Sequence, residues 1–320
     1  MEEQLFFSVF DEYEEPKQAE KDALIDKLIK GDFSLSYSSL AAFSVSPRAF
    51  IAYKLKERKT TKAMILGEAV HCKVLEPDMF GERYVIAPDV DGTTVAGKNA
   101  WAELYMKLTG DELPTNKQGN YVIPKQELLI EQVKELTKKV DSETGKLLFD
   151  GITILPATVN KEADFRARML VTNRATRHVI NMITDTELTI RYEFAGIKFT
   201  GRIDGKGAGM ICDIKNMPDA TLRAAKYQIM ARKMHWQAFG YNRAYEEDCG
   251  CYILAVDGNG ETSAHLFDNK HLEKAEVEIS EYCRLFLDLV ADSVFDRTVW
   301  DQSQDFWLRN EYNQFGINQL

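Results

Sequence analysis

Asp204, Asp213 and Lys215 carry the strongest chemical signal in this sequence of 320 residues. Residues 188–194, 197–204 and 210–215 alternate apolar and polar side chains, the period of half-buried strands. Gly196 supplies one turn and Gly205-Lys-Gly-Ala-Gly the next, so the three strands read as an antiparallel meander. Residues i and i+2 of a strand share a face, so Asp213 and Lys215 project together. A hairpin neighbour can bring Asp204 beside them. Two close carboxylates repel one another unless a cation lies between them. Hard oxygen donors suit magnesium, with manganese as the alternative, and such a cation polarises a phosphodiester and acidifies water. A lysine beside it steadies the charge that develops on phosphorus-bound oxygens. That is the chemistry of phosphodiester hydrolysis. The bare D-x-K triplet is equally compatible with turn aspartates and an exposed strand lysine, so its flanks must decide.

The elements that would position these residues follow from local pattern. Ser34 to Lys56 reads as a helical hairpin, with Ser36 or Ser38 capping its first helix and Ser46-Pro47 opening the second. Residues 62–76 form an apolar-striped helix that stops before Pro77. Further helices are expected at about 98–108, 124–140, 220–247 and 270–292, and Cys251–Val256 reads as a fourth strand. The fold class is α/β: a mixed central sheet flanked by helices, with a mainly helical N-terminal part. Residues 1–33 are set apart as an acidic N-terminal extension. Residues 34–320 are expected to form one domain, with a helical part at 34–150 and a catalytic core at 185–300.

Composition narrows the partners. The apolar fraction of 45% and charged fraction of 28% are those of a soluble globular chain. No stretch approaches the ~20 apolar residues of a membrane helix, and the acidic N-terminus lacks the order of a signal peptide. The expected location is the cytosol. Five cysteines without metal-type spacing are expected to be reduced and mostly buried. The net charge of −10 is unevenly distributed. Residues 1–30 balance to −5 and residues 244–320 to −11, whereas 47–73 balance to +5 and 198–243 to +6. Local rather than net charge decides whether a phosphate backbone is attracted. A solvated helix face would give the same lysines and arginines.

In context the triplet resembles the core of the PDDEXK nuclease superfamily, D…(D/E)-x-K on a strand hairpin, here Gly201-Arg-Ile-Asp-Gly followed by Ile211-Cys-Asp-Ile-Lys. Gly67-Glu-Ala-Val-His-Cys-Lys-Val-Leu-Glu-Pro resembles a segment of the RecE-type (exonuclease VIII) nucleases of phages and prophages. The resemblance implies that His71, Asp204, Asp213 and the backbone carbonyl of Ile214 hold the metal. Lys215, Asp204, Asp213 and Glu187 are then the catalytic set, with Glu193 as the competing acid ahead of the hairpin. Trp236-Gln-Ala-Phe-Gly-Tyr resembles the Q-x-x-x-Y of RecB-like nucleases, which implies that Gln237 and Tyr241 face DNA. Ordinary packing explains that pair equally well. Arg202, Arg223 and Lys226 are the accompanying candidates for phosphate contact. Ser46 stands where iron–sulfur relatives carry a cysteine, so no iron–sulfur cluster is expected.

The activity so implied is magnesium-dependent exonuclease action on linear double-stranded DNA, 5′ to 3′. It would leave 3′ tails for a single-strand annealing partner in recombination, in a bacterial host and encoded by a phage or prophage. A ring-shaped homo-oligomer is implied with it, and no membrane partner. The alternatives are a RecB-like nuclease acting on single strands, flaps or internally, and a non-catalytic DNA-binding protein on a nuclease fold. Gln4-Leu-Phe-Phe loosely resembles a sliding-clamp-binding peptide.

Overall fold

The computed structural model describes residues 17–56, 61–90, 94–122, 139–140, 147–148, 153–245 and 249–303. In chain order the first elements are helices α1 (Gln18–Ile29), α2 (Tyr37–Phe43), α3 (Pro47–Leu55), α4 (Lys62–Leu75) and α5 (Phe80–Arg83). Strand β1 (Tyr84–Ile86), helix α6 (Val95–Thr109) and strands β2 (Lys139–Val140), β3 (Leu147–Leu148) and β4 (Thr153–Leu155) come next. Helices α7 (Ala157–Thr172) and α8 (Arg174–Ile180) lead into β5 (Asp185–Phe194), β6 (Ile197–Gly207) and β7 (Met210–Asn216). The chain continues through α9 (Leu222–Ala231), α10 (Met234–Tyr245), β8 (Gly250–Val256), β9 (Thr262–Leu266) and α11 (Asn269–Asp292). Its contacts divide it into two compact units. One comprises Met1–Lys59, His178–Ala255 and Ser263–Leu320, the other Thr60–Arg177 and Val256–Thr262.

The first unit is built on a five-stranded sheet ordered β5-β6-β7-β8-β9. β5, β6 and β7 form the antiparallel meander that the alternation implied, with Phe194 paired to Ile197 and Gly205 to Cys212. Between β7 and β8 the chain crosses over through α9 and α10, the connection a parallel pair requires. The Gly250 N–H donates to the Gly209 carbonyl at 2.9 Å, which sets the two strand starts side by side. The sheet is therefore mixed and flanked by helices, as expected. β9 was not foreseen, because Thr-Ser-Ala-His-Leu holds too little apolar bulk to register as a strand.

Two sequence readings within this unit need correction. The second turn is not Gly205 to Gly209: β6 continues to Gly207, and the chain reverses at Ala208-Gly209. Gly207 is needed for a different reason, since a Cβ there would collide with the Met182 carbonyl oxygen. The helix expected over 220–247 is two helices, broken at Arg232-Lys233, where Lys233 adopts a φ of 53°. No glycine or proline marks that break, so periodicity ran through it.

Serines start the helical hairpin. Ser36 closes a capping box on α2, and the Ser46 hydroxyl accepts the Ala49 N–H at 3.0 Å ahead of Pro47. These helices present Phe43 and Phe50 to a buried aromatic cluster with Phe286 of α11 and Trp300. Ile25 and Leu28 of α1 are buried in the same core, so residues 18–29 pack as part of this unit although the acidic composition of 1–33 set them apart. Residues 1–16, including the Gln4-Leu-Phe-Phe motif, lie outside the described residues.

In the second unit α4 packs against α7, burying Ala69 and Val70 on one helix and Val159, Ala163 and Leu170 on the other. Lys73 of α4 pairs with Asp164 of α7 at 2.6 Å. β1 runs parallel to β4, Tyr84 opposite Thr153. The helix expected over 124–140 falls outside the described residues except at its end. There Lys139–Val140 pairs with Leu147–Leu148 as short antiparallel strands instead.

Candidate active site

Asp204 lies on β6, and Asp213 and Lys215 lie on β7. Extending the Gly205–Cys212 register by one step sets Asp204 opposite Asp213. The next backbone donor of β7, the Ile214 N–H, is turned to the Asp204 carboxylate at 2.7 Å. Both aspartates are buried, at 8% and 3% exposure, in positions where an apolar residue would be ordinary. The Lys215 ammonium pairs with Asp213 Oδ2 at 2.5 Å. The strand parity read from sequence therefore delivers the three side chains to one place.

β5 supplies a third carboxylate. Thr186 pairs with Gly205 and Leu188 with Ile203, so Glu187 stands across from Asp204. It lies within the strand rather than ahead of it, which corrects the expected start of β5. Its φ of 55° takes it out of simple alternation. Glu193 pairs with Lys198 near the hairpin turn and is exposed. The Glu187 and Asp204 carboxylate oxygens come within 4.8 Å of each other. Glu187 is ion-paired with Arg202, whose side chain remains 64% exposed. Arg202 is thus a neighbour of the carboxylates as well as a solvent-facing cation.

Helix α10 braces the cluster. Gln237 donates from Nε2 to Asp213 Oδ1 at 2.9 Å and lies in hydrogen-bond contact with the Tyr241 hydroxyl. That hydroxyl donates to the Arg202 carbonyl at 2.5 Å. The Tyr241 ring packs over Gly201, where a Cβ would sit 3.4 Å from it. Tyr241 is buried, and burial together with Asp213 and Asp204 raises its proton affinity well above normal. The pair singled out as facing DNA therefore ties α10 to the Asp213 carboxylate and to the β6 backbone.

The electrostatics report a shortage of positive charge. Burial, and then the Asp213 carboxylate, push the pKa of Asp204 up to about 7, against the pull of Lys215, the Ile214 N–H and Arg202. At Lys215 burial opposes the ammonium, but Asp213 and Asp204 outweigh it and hold its proton more firmly than usual. The carboxylates of Glu187, Asp204 and Asp213 outnumber the two cationic side chains paired with them, Arg202 and Lys215. Hard oxygen donors with that excess fit a divalent cation. Asp204, Glu187 and the remaining lone pairs of Asp213 are the groups placed to hold it.

Sequence reading passed over Tyr37. Its hydroxyl donates to the Arg232 carbonyl, and burial followed by the charge of Asp213 raises its proton affinity. It sits next to Ser38-Ser-Leu, but nothing in the local pattern points to a residue that meets the site only through the fold. Arg223 and Lys226 lie exposed on α9. His71 is a half-buried residue of α4 in the second unit. All five cysteines are buried free thiols.

The model of a family described as a PDDEXK-like domain of unknown function (DUF3799) matches residues 36–291. A crystal structure of a putative exonuclease from Eubacterium rectale aligns with a TM-score of 0.49 and 11% identity, over 90% of this chain and 88% of that one. No curated protein matches.

Proposed function

This chain belongs to the PDDEXK-like family DUF3799, and we propose that it is a divalent-metal-dependent nuclease that trims linear double-stranded DNA from its ends. The observation that carries this reading is the set of half-buried Glu187 and buried Asp204 and Asp213 on three adjoining strands, with Lys215 paired to Asp213. Magnesium, or manganese in its place, is the cation we assign, with the Ile214 carbonyl and His71 as further ligands. His71 enters on the strength of the Gly67–Pro77 segment around it.

When bound, the cation supplies charge stabilisation to a scissile phosphate and acidifies water near it. The protein's own part is positional. Asp213 holds the Lys215 ammonium at 2.5 Å, on the same strand face, where it can orient an attacking water and meet the charge that grows on phosphate oxygens. Gln237 keeps Asp213 from rotating away by its bond to Oδ1. Tyr241 fixes the β6 backbone next to Asp204. Arg202, Arg223 and Lys226 are proposed to contact phosphates. Exonucleolytic action running 5′ to 3′, 3′ tails handed to a single-strand annealing protein in recombination, and a ring-shaped oligomer belong to the same proposal.

The direct test is digestion of end-labelled linear duplex with magnesium or with chelator, beside a relaxed closed circle. Linear duplex should shorten from its labelled end only with metal, and the circle should persist. Lys215→Ala should reduce the rate by about 10²-fold or more, as loss of a charge-stabilising donor does. A metal-independent rate, or a Lys215→Ala protein as active as the parent, sinks the proposal.

A further inference from the structure

Helix α9 presents a surface that the carboxylate site does not use. Its inner face buries Ala225, Gln228 and Ile229. Its outer face exposes Leu222 at 69% and Tyr227 at 49%, together with Arg223 and Lys226. Leu222 and Lys226 are one turn apart, as are Arg223 and Tyr227, so an apolar and a cationic side chain alternate along one stripe. The helix carries no acidic residue, in a chain whose net charge is −10. Large apolar side chains at such exposure, interleaved with exposed cations, suit an anionic ligand with flat apolar faces.

The placement of the stripe is equally specific. α9 follows the strand of Asp213 and Lys215 after a short connector in which Met217 and Ala220 are buried. Gln228 donates to the Asp219 carbonyl at 2.9 Å and holds that connector against the helix. At the other end Arg232 is within electrostatic reach of Lys215. Tyr227 lies five residues before Arg232, roughly 7–8 Å along the axis and about 140° around it.

We infer that the Leu222–Arg223–Lys226–Tyr227 stripe of α9 grips unpaired nucleotides of the substrate strand, Tyr227 stacking on a base while Arg223 and Lys226 meet the flanking phosphates. This rests on the nuclease reading and adds how a duplex end is held, with its terminal nucleotides separated from their complement. A closed duplex hides its base faces, so it can engage the two cations but not Tyr227.

The test compares binding of an oligothymidylate and of a blunt hairpin duplex in chelator, by fluorescence anisotropy, with hydrolysis of bis(p-nitrophenyl) phosphate in manganese. Tyr227→Ala should weaken oligothymidylate binding about tenfold, within the range of one base–aromatic stack, and leave duplex binding nearly unchanged. Tyr227→Phe, which keeps the ring, should bind as the parent does. Hydrolysis of the small ester, too short to reach the stripe, should be the same in all three proteins, which also verifies folding. Parental oligothymidylate affinity in Tyr227→Ala overturns the inference, and so does an equal loss for both DNAs. A parent that hydrolyses neither ester nor DNA overturns the nuclease reading instead, while the binding comparison still judges the stripe.

Discussion

At the scale of single residues, Asp204 is the most informative group. An aspartate pushed up to about 7 by burial and by Asp213 binds its proton more tightly folded than unfolded. Between the ordinary carboxylate range and about 7, the native state holds a proton that the unfolded chain has released. The stability this contributes is complete below the ordinary range and is lost as pH rises through about 7. Metal-free protein should therefore melt at falling temperature from pH 5 to pH 8, and Asp204→Asn should flatten that slope. Magnesium competes with the proton, so its stabilising effect should grow over the same interval. Thermal melts at several pH values with chelator and with magnesium check both. A magnesium effect that is the same at pH 5 and pH 8 would separate Asp204 from the metal.

Among elements, the meander and α10 act as one device. β6 can carry Asp204 beside β7 only because Gly205 and Gly207 let other atoms approach closely. A Cβ at Gly207 would meet the Met182 carbonyl, and one at Gly205 the Ile183 side chain and the Cys212 sulfur. Gly207→Ala should destabilise the protein by about 1–3 kcal/mol, the usual range for overpacking, because a backbone carbonyl cannot swing aside as a side chain can. A chemical denaturation curve matching the parent's would show that this approach is not constrained. On the opposite side, Lys233 holds the α9–α10 break. Its ammonium donates to Ser44 Oγ at 2.9 Å and lies over the Trp236 and Tyr282 rings at 4.3 and 4.9 Å. Burial draws its pKa down to about 8. The break sets the direction of α10, and with it the reach of Gln237 toward Asp213.

For the whole molecule, the uneven distribution of charge matters more than its sum. The segments 1–30 and 244–320 are acidic, while 198–243 supplies Asp204, Asp213 and Lys215 as well as the basic stripe of α9. DNA binding through a few lysines and arginines releases condensed counterions, so affinity should fall by about tenfold or more between 50 and 200 mM salt. Hydrolysis of bis(p-nitrophenyl) phosphate should barely respond over that range, because no phosphate backbone is involved. Anisotropy titrations beside ester hydrolysis at each salt concentration check this. DNA affinity that is indifferent to salt would remove the electrostatic role of Arg223 and Lys226. No helix among the described residues is long and apolar enough to cross a membrane.

Local pattern was enough to identify the meander, the positions of Asp204, Asp213 and Lys215 on it, the capped hairpin of α2 and α3, and the α/β class. Alternation and capping are properties of neighbouring residues, and neighbours are what a sequence displays. The break in alternation at Glu187 escaped it, because a left-handed residue inside β5 carries no mark in residue type. So did the role of Tyr37, which meets Arg232 across 195 positions of chain. The roles of Gln237 and Tyr241 as braces on Asp213 and on the Arg202 carbonyl also needed the folded chain, since a hydrogen-bond partner on another element leaves no trace in local composition. The break at Lys233 and the strand β9 escaped for the complementary reason. Tertiary contacts stabilise both where local propensity is weak. The chemistry was legible as residue types, and its geometry became legible only when long-range contacts brought those types together.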